Sequence, residues 1–323
     1  MLNRPLVLAA IDHATDATRT IDVARRVAKA RGGDVDVIQV VPHRTVHFDD
    51  RPDVRPHESH DGTVTRPIET MLPGGDDGVH VRTVALRGTP EHVIPAYSQL
   101  HHATLLVVQR DYGSSRFWRH DRVVNDLARR SPTAVLVLPT RETPRPTGPG
   151  LRRILAPVDF SIASAVAVRI AADLARRHGA RVSLVHALRD VPRQMMCSGS
   201  EAWEVVRRMP AQVDAAASRL RRRAAWLGVG DVETEVATGD AERAILETAE
   251  RRDADLIVMG IAHRSWLDRA VFGSTVRGVL RRATVPTLVV PVVAGAERWP
   301  DEQGVAQISR SPWVVSANDR VAA

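Results

Sequence analysis

The stretch MGIAHRSWLDRAVFGST, residues 259–275, carries the residue types best suited to chemistry. Gly260 closes an apolar run, a polar loop follows, and Gly273-Ser274-Thr275 opens a segment of helical spacing. The first N–H groups of a helix have no partner inside it, and the helix dipole favours negative charge at that end. Ser274 and Thr275 add hydroxyl donors, so the stretch suits an anion, above all a phosphate, cradled by backbone N–H groups. Asp159, at the exit of the apolar run RILAPV, is placed to accept a hydrogen bond from a sugar hydroxyl or a base amine. Each of these residues also has a plain structural reading. Gly260 and Gly273 permit turns, and Ser274 caps a helix.

The elements that must position this constellation occur twice. A shift of 147 lays Leu8, Ala9, Asp12, Ala24, Ala28, Gly32 and Val35 over Leu155, Ala156, Asp159, Ala171, Ala175, Gly179 and Val182. Further on the shift becomes 151, and Gly88, Glu91 and Ile94 fall on Gly239, Glu242 and Ile245. The stretch TRETPRPTGPG between the copies reads as a linker. These boundaries define a first domain over 1–139, a linker over 140–150, a second domain over 151–293 and a tail over 294–323.

In the second copy the apolar runs 153–158, 181–187, 232–237, 255–260 and 286–292 are rich in Val, Leu and Ile and lack alternation. Such runs predict parallel strands covered on both faces. Ala163, Val166, Ala167, Ile170, Ala171 and Leu174 recur at helical spacing, with Ser161 placed as the cap. A second helical pattern runs from Val205 to Ala224, with a kink expected at Pro210. Alternating β and α elements of this size predict two tandem doubly wound, five-stranded parallel sheets, whose ligands lie beyond the carboxyl ends of the strands. The first copy replaces the long helix by residues 42–78, whose five prolines predict a loop. Its His43, His47, His57 and His60 alternate with carboxylates, but their irregular spacing fits no metal-ligand pattern.

Composition narrows the function. No apolar run approaches the length that spans a bilayer, and the amino-terminal run, interrupted by Asp12, is too short for an export signal, so a cytoplasmic protein without a membrane partner is expected. The single Cys197 excludes an internal disulfide. The net charge of +7 invites a nucleic-acid reading. Its arginines, however, come as scattered pairs such as Arg176-Arg177 and Arg281-Arg282 late in helical segments, where they complement the dipole. No specific nucleic-acid partner is expected.

Both copies resemble the universal stress protein (UspA-like) domain, the second from RRILAPVDFS through GDAERAILETAERRDADLIVMG to FGSTVRGVLRRATVPTLVVP. The resemblance implies a Rossmann-like fold of the adenine nucleotide-binding type, with ATP between the first and fourth strands of a copy. The family motif is Gly, two residues, Gly, nine residues, then Gly-Ser/Thr. Here Gly260 supplies the first glycine, His263 replaces the second, and Gly273-Ser274 follow after nine residues. By the same resemblance Pro157, Val158 and Asp159 line the adenine and ribose side and Ala187 flanks the base. Met259 and Gly260 sit at the strand end, and Ser274, Thr275 and Val276 reach the phosphates. Arg264 is a further phosphate partner. A loop bending tightly round phosphates favours positive φ, which glycine adopts freely and histidine at a cost, so His263 predicts a weakened site. In the first copy Gln109 stands where Gly260 does, and Asp121-Arg122 stand in place of Gly273-Ser274. A carboxylate there opposes a phosphate, so the first copy is expected to have lost the site.

Three readings follow. The chain is a stress-response regulatory protein that binds ATP through its second domain, or a non-binding family member that acts as an interaction module with an unknown protein partner, or a slow ATP-hydrolysing or self-phosphorylating enzyme. The third is disfavoured, because no GxxxxGK[ST] loop, nucleophile elbow or nucleophile paired with a base is present. The final strands AVLVLP and TLVVPVV suggest an intramolecular pseudo-dimer, with a homodimer as the alternative.

Overall fold

The computed structural model describes residues 4–11, 17–41, 78–110, 120–140, 150–188, 199–227, 232–263 and 273–293. The chain divides into two compact units, Met1–Glu142 and Thr143–Ala323.

In the first unit, β1 (Leu6–Ile11), α1 (Thr18–Arg31), β2 (Asp34–Val41), β3 (Val81–Arg87), α2 (Pro90–Leu100), β4 (Leu105–Gln109), α3 (His120–Arg130) and β5 (Ala134–Leu138) succeed one another. The strands lie in the order β3-β2-β1-β4-β5, each neighbour parallel. The second unit repeats the plan with β6 (Arg153–Pro157), α4 (Ile162–His178), β7 (Arg181–Leu188), α5 (Gly199–Trp226), β8 (Val232–Thr238), α6 (Ala241–Arg251), β9 (Leu256–His263), α7 (Ser274–Arg282) and β10 (Thr287–Val293). Its order is β10-β9-β6-β7-β8, again parallel throughout. The doubly wound, five-stranded parallel plan expected from the alternation of elements is present in each unit. Connections run outward in both directions from the central strand, so the crevice between β6 and β9 is the switch point of the second sheet.

Burial explains the apolar runs. The central strands β1 and β4 are buried almost throughout, whereas the edge strand β8 is half-exposed along its length. Helix α4 is held at both ends by local devices. Ser161 caps α4 as expected, its hydroxyl accepting from the Ser164 N–H at 3.1 Å. The matched glycines Gly32 and Gly179 end α1 and α4 at φ of 62° and 66°, a left-handed turn that glycine takes without a Cβ penalty. Helix α5 continues through Pro210 as one element of 28 residues. The histidine-bearing segment 42–77, the tail 294–323, Asp12, Cys197 and Arg264 lie outside the described residues.

Candidate functional site

Strand β9 corrects one expectation. It does not end at Gly260 but pairs on with β10 through Gly260↔Val290 and Ile261↔Pro291 to His263↔Val293. His263 therefore has extended backbone, and it is not among the non-glycine residues at positive φ. No tight turn penalises the histidine at this position. Gly260 has a packing duty instead. A Cβ there would lie 1.9 Å from the Ala163 carbonyl oxygen and 2.3 Å from its carbon, so only glycine lets the first turn of α4 close onto β9.

Around the end of β6 the chain is tightly bonded. The Val158 N–H donates to the Val185 carbonyl at 2.8 Å, and the Val158 carbonyl lies 2.6 Å from His186 Nδ1, which must donate. Val158 is buried, so it serves packing and its backbone groups are already engaged. Met259 and Val276 are buried as well, while Pro157 and Ala187 are half-buried. Asp159 is exposed and accepts the Ser161 N–H at 2.9 Å, an Asx turn leading into the Ser161 cap. Partial burial pulls its carboxyl up, but hydrogen bonds from the Ser161 hydroxyl and N–H, joined by Ser164, outweigh this and hold it below the usual carboxylate range. Asp159 is thus an anion with acceptor capacity facing outward.

Helix α7 supplies the opposite charge. Its N-cap Gly273 has no side chain to bond the first N–H groups, and its first turn contains no acidic residue. Among the described residues a Cβ at Gly273 would meet no atom within 4 Å. Gly273 has φ −56°, a value open to any residue, so a turn does not explain this glycine. Ser274 is exposed and Thr275 half-buried. Because all the strands run parallel, α7 must start at the edge where β6, β7 and β9 end. The fold therefore brings Pro157, Asp159, Ala187, Gly273, Ser274 and Thr275 to one edge of one sheet.

Sequence reasoning missed a stack beside Asp159. Phe160 takes φ +61°, a costly left-handed conformation for a bulky residue. Its ring meets the His186 ring at 4.5 Å between centroids, and the Arg219 guanidinium of α5 lies 4.0 Å over its face. Cation–π and ring contacts offset the backbone cost. Nothing in local spacing joins residues from β7, α5 and the turn after β6.

The first unit differs where the site should be. Gln109, fifth in β4 as Gly260 is fifth in β9, is buried, and its Oε1 accepts no hydrogen bond among the described residues. Aligned on the repeat, α1 starts three residues later than α4, and its N-cap Ala17 makes no side-chain bond. Asp121 and Arg122 fall in the first turn of α3.

The model of the universal stress protein family matches residues 5–139 and again 150–291. The chain belongs to that family, with two of its domains in tandem. It is 30% identical over 140 residues to the universal stress protein MJ0531 of Methanocaldococcus jannaschii, a match covering 43% of this chain and 81% of the relative. Two solved structures share the fold over most of the chain. A universal stress protein of Archaeoglobus fulgidus has a TM-score of 0.59 at 17% identity over 90% of this chain and 97% of its own. The functionally unknown protein PA1789 of Pseudomonas aeruginosa PAO1 has a TM-score of 0.60 at 19% identity over 90% and 93%. Among the described residues no helix is long and apolar enough to cross a membrane.

Proposed function

We propose that the protein is a stress-response regulator whose second domain binds an adenine nucleotide, ATP, at the carboxyl edge of β6, β7 and β9. One observation carries this reading: helix α7 opens on a glycine that no turn requires, and among the described residues neither a capping side chain nor an acid in its first turn occupies its N–H groups. Those donors and the helix dipole suit phosphate. Gly273, Ser274, Thr275 and Val276 would hold the phosphates, Asp159 the sugar, and Pro157 and Ala187 the base. ATP bound there supplies phosphate charge and a base whose occupancy a partner can read. The chain's own groups bind and orient it, and we assign no catalytic residue and a cytoplasmic location.

Denaturing the purified full chain and identifying released nucleotide by mass spectrometry tests the reading, followed by calorimetry with ATP. The expected result is a single nucleotide per chain. Ser274→Asp, which sets a carboxylate against the phosphates, should weaken binding about tenfold or more.

A second reading, an interaction module without nucleotide, is favoured by the packing duty of Gly260, since the first motif glycine has a reason to exist without any ligand. Failure to bind at millimolar ATP would replace the first reading by this one.

A further inference from the structure

Gly278, in the middle of α7, has a neighbour that its sequence does not foretell. A Cβ there would lie 1.8 Å from Glu242 Oε2 and 2.0 Å from its Cδ. The Glu242 carboxylate therefore occupies the side-chain space that Gly278 leaves empty on the surface of α7. Glu242 comes from the first turn of α6, where the dipole favours its charge. Its other oxygen, Oε1, lies 3.1 Å from Arg282 Nη1, four residues further along α7, and is buried without an aligned hydrogen bond. A buried carboxylate oxygen in that state is costly, and a glycine inside a helix is costly too. Two local costs meeting at one contact call for a use.

We propose that Glu242 is a positioning residue for the nucleotide end of α7. Its carboxylate seats against the backbone at Gly278 and, with Arg282, fixes where the N–H groups of Ser274, Thr275 and Val276 stand. Helix α7 has nine residues and no N-terminal side-chain cap, so its orientation depends on contacts along its sides. Gly278 lies one turn from Ser274, so a small swing about that contact displaces the donors directly. The first unit lacks the arrangement. Glu91 aligns with Glu242 and has a buried Oε2 without a hydrogen bond, but Asp126, which pairs with Arg129 at 3.0 Å, aligns with Gly278. The effect on nucleotide rests on the reading under Proposed function, whereas the seating of the carboxylate does not.

Hydrogen exchange of the full chain without nucleotide separates the two. Glu242→Ala should speed exchange of the α7 amides about tenfold, with those of β6 and β9 little changed, because the loss is local. Gly278→Ala gives a sign test. Gly→Ala in a helix interior ordinarily slows exchange, yet here the new Cβ expels the carboxylate and should speed it. In the Glu242→Ala background the same substitution should slow it, which is the coupling expected of residues in contact. If Gly278→Ala slows α7 exchange in both backgrounds, or if Glu242→Ala speeds exchange evenly across the second unit, the proposal is overturned. ATP calorimetry should show weaker binding by Glu242→Ala and recovery of part of it in the double variant. Exchange results as expected in a chain that binds no ATP would uphold the seating of Glu242 and overturn the nucleotide reading alone.

Discussion

Each unit covers the outer strand of its own sheet with charged side chains, arranged differently in the two. In the first, Asp36 on the inner strand β2 is buried and receives both Arg82 Nε at 3.0 Å and Nη2 at 2.7 Å from the edge strand β3. The Tyr97 hydroxyl of α2 donates to the same carboxylate at 2.8 Å, and burial followed by this bond pushes the phenol up. In the second unit Ser183 stands where Asp36 does. The acids have moved to the edge strand as Glu233 and Glu235, and the bases to the end of α6 as Arg251 and Arg252. A half-exposed edge strand must be covered and charged against stray pairing. That demand belongs to the fold, and the duplicated scaffold met it twice with different residues, the edge-strand base Arg82 of the first unit being replaced by the acid Glu233 in the second. The mouths of the sheets differ in another way. Gly260 admits a helix turn that Gln109 cannot admit, and among the described residues the last helix begins with an acid, Asp121, in the first unit and without one in the second.

The largest expected effect breaks the first cluster. Asp36→Ala leaves the buried Tyr97 hydroxyl without its acceptor and should cost about 3 kcal/mol in urea unfolding. Glu233→Ala, which removes one member of an exposed pair, should cost less than about 1 kcal/mol. Equal losses would show that the two networks are equivalent after all. Gly260→Ala comes next, at about 2 kcal/mol, because its Cβ meets backbone that must shift. Gln109→Ala removes an unbonded buried oxygen and should change stability by less than about 1 kcal/mol. A neutral Gly260→Ala would mean that α4 is not docked as described. The smallest effect is at Asp159. Its folded-state value lies below the ordinary 3.8, so its contribution is complete above that pH and disappears as pH falls through the depressed value. The stability gap between wild type and Asp159→Asn should therefore be present at neutral pH and close in acid. A gap that widens in acid contradicts the hydrogen bonds assigned to this carboxylate.

Repeats, strand runs and helix ends were legible because they are written locally. Val, Leu and Ile runs without alternation announced buried parallel strands, Ser161 announced a cap, and the match of Gly32 to Gly179 announced the duplication. The motif around Gly260 and Gly273 was legible as a pattern, but not in its division of labour. Gly260 looked like a strand mouth, since a glycine after an apolar run is also what a loop begins with. Only the approach of Ala163 from another element shows what it is for.

Local order, with its continuous apolar runs and its helical period of 3.6 residues, was thus determined by the amino-acid sequence itself, and with it the parallel sheets and the duplication. Tertiary structure alone decided the packing role of Gly260, the extended backbone of His263, the Phe160–His186–Arg219 stack and the seat of Glu242 on Gly278. The physical reason is the same in each case. The energy of these residues lies in contacts between elements far apart in the chain, and such contacts leave no periodicity for a sequence to display.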